Sequence, residues 1–215
     1  MKTRLIGLTG LAGHGKTDVA NLLAEKTGFM KIALADPVKR AAAGIYGLPV
    51  EVFYEGGSQN PEFCRNTTVI EPYGLTVRQM MRGVGDAMKT QHGGDFWINI
   101  TKCEVQRHLE ADHNIAGFII EDVRYDKDNP WGPSGSEYDA VKSWGAKIIH
   151  VDAADRIGRT DVHNSHCSEK GVNRLEDDIV IDNNGALDNL PGIIDMIVSD
   201  LRLNTQPVTQ ETQND

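Results

Sequence analysis

Gly10-Leu11-Ala12-Gly13-His14-Gly15-Lys16-Thr17 sets glycines, a lysine and a threonine in the spacing G-x-x-x-x-G-K-[ST]. That spacing suits phosphate chemistry. Glycines at 10, 13 and 15 let backbone N–H groups approach an anion with no Cβ in the way. Together with the positive end of a following helix, those donors make a phosphate-sized anion site. Lys16 would reach the β- and γ-phosphates of a nucleotide, and the Thr17 hydroxyl would ligate Mg²⁺. Gly13, His14, Gly15, Lys16, Thr17 and Asp18 form the candidate nucleotide-binding set.

Such a loop works only between a strand and a helix, and the flanks supply both. Leu5-Ile6-Gly7-Leu8 is a short apolar run, and Val19, Leu22 and Leu23 follow at helical spacing. A plain Gly-rich turn is the bland alternative, and the flanking elements weigh against it. Phosphates held here place the reaction at the carboxyl ends of the strands, so residues that follow each later strand become candidates.

Five stretches carry candidates, three of them after strands and two on helices. Residues 29–35 read as a second strand ended by Asp36-Pro37, with a helix to Tyr46; Asp36 is a helix cap or a substrate contact, and Lys39 a substrate contact or a solvated charge. Thr76 reads as the N-cap of a helix over 77–88, on which Arg78 and Arg82 at i and i+4 share a face suited to clamping a phosphate. A further helix is predicted over 96–111, with Trp97 among its buried positions. Residues 117–120 are an apolar run stopping at Glu121-Asp122, and either carboxylate, with Arg124 beyond, could face the site. After a strand over 147–151, residues 152–175 carry Arg156 and Arg159 and read as a lid that brings arginines over a transferring phosphoryl group. His163, His166 and Cys167 lack a fourth ligand at zinc spacing.

The remaining organisation follows from pattern. Residues 48–75 lack a sustained period and read as an inserted, largely irregular segment over the site. A short helix is predicted over 136–144, a last strand over 178–181, a closing helix over 185–203 and a disordered tail over 204–215. Alternating strands and helices imply an α/β fold, one domain over 1–203 with a parallel sheet and helices on both faces.

Composition narrows the function class. With 215 residues and a formal charge of -9, the chain has scattered basic residues and no footprint for a nucleic acid polymer. Three separated cysteines suit a reducing compartment, and no run approaches a membrane span, so a soluble cytoplasmic protein is expected. A homodimer stays open, because the 48–75 segment could close over an acceptor or form a subunit interface.

In these motifs the chain resembles the phage-type deoxynucleoside monophosphate kinases, relatives of adenylate and dephospho-coenzyme A kinases. The resemblance rests on residues 10–17, Asp36-Pro37-Val38-Lys39, Arg78 with Gly85, Asp95-Phe96-Trp97, Asp122-Val123-Arg124, His166-Cys167-Ser168-Glu169 and Asp182-Asn183-Asn184-Gly185, in family order. It implies a five-stranded parallel P-loop kinase core with an inserted acceptor-binding segment and a lid. It implies transfer of the γ-phosphoryl of ATP, with Mg²⁺, to a deoxynucleoside 5′-monophosphate, in host cytoplasm if the chain is phage-encoded. Lys16 and Thr17 would hold ATP and Mg²⁺; Arg78, Gly85, Trp97, Asp122, Arg124 and Asp128 fall on acceptor-side positions; Arg156 and Arg159 would be the lid arginines. The chain departs from the family pattern at Arg82 and keeps a threonine at 17 where some relatives have Asp. Rival readings are a dephospho-coenzyme A kinase, a non-catalytic nucleotide-binding module and a regulatory GTPase; the last would carry an N-K-x-D motif, absent here.

Overall fold

In β1 (Arg4–Thr9) successive side chains alternate, so Ile6 and Leu8 turn to one face of a sheet while Leu5 and Gly7 turn to the other. The computed structural model describes residues 4–54, 63–157, 172–185 and 187–201. Five strands form the main sheet in the order β2 (Met30–Ile32), β5 (Gly117–Ile120), β1, β6 (Lys147–Asp152) and β7 (Ile179–Asp182), all parallel. Strands buried on both faces read as continuous apolar runs, as β5 does.

Ile6 and Leu8 pack with Ile119, Ile149, Val151 and Ile181 beneath α1 (Lys16–Thr27) and α7 (Leu190–Asp200). On the opposite face Leu5, Phe118, Ile120 and Ile148 meet Val105 of α4 (Phe96–Ala111) and Tyr138 and Val141 of α5 (Glu137–Ser143). A third apolar cluster joins α2 (Asp36–Tyr46), α3 (Val77–His92) and α4 through Ala42, Phe53, Val77, Met80, Val84 and Trp97. Crossover helices thus cover both faces and leave the carboxyl edge of the sheet to loops.

Local signals account for most boundaries. The Thr76 hydroxyl accepts from Gln79 N at 3.2 Å and the Gln79 side chain accepts from Thr76 N at 2.8 Å, a reciprocal cap that starts α3 where expected. That helix runs one turn past the predicted residue 88, to His92. Strand β2 is shorter than predicted, because Ala33 N donates to the Asp36 carboxylate at 3.1 Å and the chain turns early into α2. The closing helix is also shorter than predicted; a 3₁₀ turn over Leu187–Asn189 precedes it, and Pro191 sits in its first turn.

The described parts of the 48–75 segment, 48–54 and 63–75, are more ordered than their composition implies, while 55–62 lie outside the described residues. They hold a 3₁₀ turn, Val50–Phe53, and the first three residues of a small antiparallel pair, β3 (Val69–Ile70) and β4 (Leu75–Thr76). Phe53, at the end of that first turn, is fully buried, which explains why this part of the segment folds back onto α2 and α3. Pro72 and Gly74 between the two strands are the turn residues that could have signalled the pair. Of the lid, α6 (Ala154–Ile157) and residues 172–175 are described; Arg159, His163, His166, Cys167 and the 204–215 tail lie outside the described residues.

Candidate functional site

The loop that follows β1 has the backbone its glycines allow. Gly10 takes φ +143, and a Cβ there would overlap the carbonyl oxygen of Val151. Gly15 takes φ +89, and a Cβ there would lie 2.5 Å from Asn183 Nδ2. Helix α1 then starts at Lys16, so its N-terminal N–H groups and dipole point back at the loop. Lys16 Nζ donates to the carbonyls of Gly10 and Leu11 at 2.8 Å each, arching over the loop to which it belongs. Thr17 and Asp18 are exposed on the first turn.

His14 points away from that surface. Its ring is buried, with Nδ1 accepting from Ala153 N at 3.0 Å and 3.2 Å from Val151 O. The bond from Ala153 requires an unprotonated Nδ1, so the Nε2–H tautomer fits this side chain. His14 therefore anchors the loop to the end of β6 through its ring.

At the ends of β2 and β5 four predicted residues meet. Asp36 accepts from Lys39 Nζ at 2.8 Å, and Lys39 Nζ sits 4.0 Å from the centre of the Tyr54 ring. Burial, with the Asp36 charge and hydrogen bond next, pushes the Tyr54 hydroxyl up to about 12. The two carboxylates after β5 point in different directions. Asp122 is buried and accepts from Leu34 N and Ala35 N, whereas Glu121 turns to Lys31, with 3.8 Å between Nζ and Oε2. Burial raises the Glu121 carboxyl above its ordinary range, against the attraction of Lys31.

Arg124 follows two residues on, and its backbone N–H donates to Glu137 Oε2 at 2.8 Å. Glu137 is buried beside Lys89, with 3.8 Å between Oε1 and Nζ, and Lys89 Nζ lies 3.9 Å from the ring centre of Tyr125 and 4.4 Å from that of Trp131. Burial pushes the Glu137 carboxyl up to about 7, with Lys89 pulling the other way. Asp128 is exposed, its N–H on Asp126 Oδ1.

Helix α3 spans this side of the edge. In its first turn Arg78 donates to Asn66 Oδ1 at 3.2 Å, while Arg65 donates to Phe53 O at 2.8 Å. Midway, Gly85 lies over Val38 of α2, with 3.7 Å between an ideal Cβ and Val38 Cγ1; at the far end stands Lys89. At 3.6 residues per turn, residues 78, 82, 85 and 89 form one stripe beside the buried stripe of Val77, Met80 and Val84. Arg82 Nη2 on that stripe is buried and has no hydrogen-bond partner among the described residues. Trp97 is also buried, and its indole N–H donates to Gly85 O at 3.0 Å, knitting α4 to α3.

On the other flank, β7 ends in Asp182-Asn183-Asn184. Asn184 Oδ1 accepts from Asp155 N at 2.8 Å and Arg156 N at 3.2 Å, which starts α6 and sets the root of Arg156. The returning lid residue Asn173 donates through N and Nδ2 to Asp126 Oδ2. Deeper, Asp178 accepts from Tyr138 Oη, Lys142 Nζ, His150 Nε2 and Leu175 N. Burial opposes its ionisation, but these donors hold its carboxyl below the ordinary range.

The edge thus brings together the 10–17 loop, Asp36, Lys39, Asp122 and Arg124 by strand order, with Arg156 at the end of β6. Tyr54, Arg65, Lys89 and Glu137 carry no sequence signal that marks them for this edge, while Asn183 stands in the Asp182-Asn183-Asn184-Gly185 motif, which by itself gives it no role. Among the described residues no group of three or more His, Cys, Asp or Glu could hold a metal ion. A single hydroxyl donor at Thr17 nonetheless suits Mg²⁺, which takes most of its ligands from phosphates and water. No helix among the described residues is long and apolar enough to cross a membrane.

Comparison with known proteins adds three findings. The model of the deoxynucleotide monophosphate kinase family matches residues 51–194. A protein of Acanthamoeba polyphaga mimivirus, provisionally named a deoxynucleotide monophosphate kinase, is 28% identical over an alignment of 191 residues that covers 86% of this chain and 90% of the relative. An unliganded sugar kinase from Janibacter sp. HTCC2649 aligns over 95% of this chain and 99% of its own at 15% identity, with a TM-score of 0.40, a likeness too loose to carry an argument. The matched family span begins after the glycine loop, which stands on its own residues and geometry.

Proposed function

The chain belongs to the deoxynucleotide monophosphate kinase family, and on that premise we propose that ATP binds with its phosphates on the 10–17 loop while the acceptor nucleotide lies between that loop and α3. The activity is phosphorylation of a deoxynucleoside 5′-monophosphate. An acceptor phosphate oxygen forms a bond to the γ-phosphorus of ATP, the bond from that phosphorus to the β–γ bridging oxygen breaks, and ADP leaves with the electron pair. A phosphate oxygen is already a nucleophile at neutral pH, so the protein needs no strong base and acts by positioning and charge neutralisation.

The observation that carries the acceptor side of this reading is Arg82. A guanidinium nitrogen buried without a partner is unfavourable, and an anion beside it removes the penalty. Arg82 shares its stripe with Arg78 and Lys89. The stripe runs between the Asp36–Lys39 corner and the Arg124 loop, where an acceptor monophosphate would meet the γ-phosphate held at Lys16. In this reading Asp36 and Lys39 line the acceptor, and Asp122 acts by fixing the loop that carries them. Gly85 and Trp97 set the spacing of α3 from α4, while Arg124 faces the transferring group. Asp128 marks the outer rim.

Lys16 supplies positive charge to the β- and γ-phosphates, with loop N–H groups around them. Thr17 would hold Mg²⁺, which when bound neutralises charge on the phosphates. Arg156, with Arg159 farther along the lid, would add charge from the other flank.

Steady-state kinetics of Arg82→Gln test this assignment. The expected result is a rise in acceptor KM of about tenfold or more, with the KM for ATP within about twofold of wild type. An unchanged acceptor KM would remove Arg82 from the site.

A further inference from the structure

Asn183 stands at the end of the edge strand β7, two strands away from the loop that follows β1, and its side chain crosses the end of β6 to reach that loop. Nδ2 donates to His14 O at 2.9 Å, and its backbone N–H donates to Asp152 O at 2.6 Å. The residue is 4% exposed, so its amide is withdrawn from water and relies on those partners. It also fills the space under Gly15, where a Cβ would come within 2.5 Å of Nδ2. From the loop's own side the buried His14 ring accepts from Ala153 N through Nδ1. The loop is therefore held from two directions, by its own histidine reaching into β6 and by an asparagine reaching out of β7.

Both contacts fall on the part of the loop that must keep an unusual backbone. Gly15 at φ +89 precedes the first turn of α1, so its conformation sets where the Lys16 ammonium and the first helix N–H groups point. A glycine in this position is conformationally loose by itself, and something outside the loop must choose its conformation. Fixing donors before a charged ligand arrives is what lets them act without reorganisation.

We infer that Asn183 is a positioning residue for nucleotide binding: its amide holds the His14 carbonyl and the Gly15 backbone so that the 10–17 loop presents its donors to the phosphates. This inference rests on the reading of that loop as the nucleotide site.

The test is titration of the full chain with ADP, followed by calorimetry, for wild type, Asn183→Ala and Asn183→Asp, with thermal melting as a check that each is folded. Asn183→Asp keeps the volume and replaces the donor by an acceptor facing the His14 carbonyl. It serves as the second variant should alanine unfold the chain. The expected result is a weakening of ADP binding by about tenfold or more in both variants, with the acceptor KM within about twofold of wild type. A folded variant of either kind that binds ADP within about twofold of wild type overturns the inference, because a residue that only packs would lower the melting temperature without changing affinity. If the wild-type chain itself binds no ADP, the reading of the loop fails and the inference falls with it. The two failures are thus distinguishable.

Discussion

Asp122 Oδ1 accepts the Leu34 N–H at 2.6 Å while Oδ2 accepts the Ala35 N–H at 3.0 Å, so the carboxylate at the tip of β5 clasps the loop that leads into α2. Both oxygens are engaged with backbone. Asp36 and Lys39 lie just beyond that loop, so the geometry of the proposed acceptor corner depends on Asp122 through the chain it holds. Asp122→Ala would leave one buried and one part-buried N–H group without partners and should lower stability by about 2–4 kcal/mol, with Asp122→Asn between it and wild type. Urea unfolding combined with acceptor kinetics checks this. A variant of undiminished stability that has lost kcat would instead place the carboxylate at the reacting atoms.

Glu137 predicts a pH effect of definite sign. Its folded carboxyl is pushed up to about 7 by burial, against an ordinary value of 4.5. A raised carboxyl contributes stability that is fully present below its unfolded value and is lost as pH climbs through its folded one. The window is therefore about pH 4.5 to 7. Glu137→Gln cannot ionise, so its stability relative to wild type should be greater at pH 8 than at pH 5. An equal difference at the two pH values, by urea unfolding, would mean that the carboxyl is not raised.

Gly10 tests the loop from the opposite side to Asn183. At φ +143 an alanine is strained whatever the space, and its Cβ would overlap Val151 O. Gly10→Ala should cost about 1–3 kcal/mol of stability and weaken ADP binding. Chemical unfolding and ADP titration measure the two effects. Wild-type affinity in the alanine variant would show that the loop reaches its binding conformation by another route.

What sequence could convey about this molecule divides along local and distant contacts. Thr76, Pro37 and the apolar runs of β1 and β5 act within a turn of themselves, and strands and helices fell close to where they were expected. The order β2-β5-β1-β6-β7 then brings the strand-end residues to one edge, which is why pattern alone places the loop, Asp36 and Asp122 there. Contacts such as Asn183 to His14, 169 residues apart, and Tyr138 to Asp178, 40 apart, have no local signature. The same holds for Asp122. Its position at a strand tip was legible, but its partners Leu34 and Ala35 offer backbone groups that every residue carries. The motif places His14 among the nucleotide-binding residues, and only the packing of β6 shows its ring turned inward.

Asn184 predicts a different outcome from its neighbour. Its Oδ1 accepts from the N–H groups of Asp155 and Arg156, so it sets the backbone from which Arg156 projects. Asn184→Ala should lower kcat by about tenfold while ADP affinity stays within about twofold of wild type. Equal losses in kcat and affinity would argue that the whole β7 exit has collapsed.

The most direct measurement is the rate of ADP formation from ATP and Mg²⁺ by the wild-type chain and by Lys16→Ala, with each deoxynucleoside monophosphate in turn and dephospho-coenzyme A as the control acceptor. The predicted result is turnover with one or more deoxynucleoside monophosphates, matched by formation of the diphosphate, and reduced roughly a hundredfold or more in Lys16→Ala. ADP formed only with dephospho-coenzyme A, or turnover of a deoxynucleoside monophosphate that survives loss of the Lys16 ammonium, would contradict it.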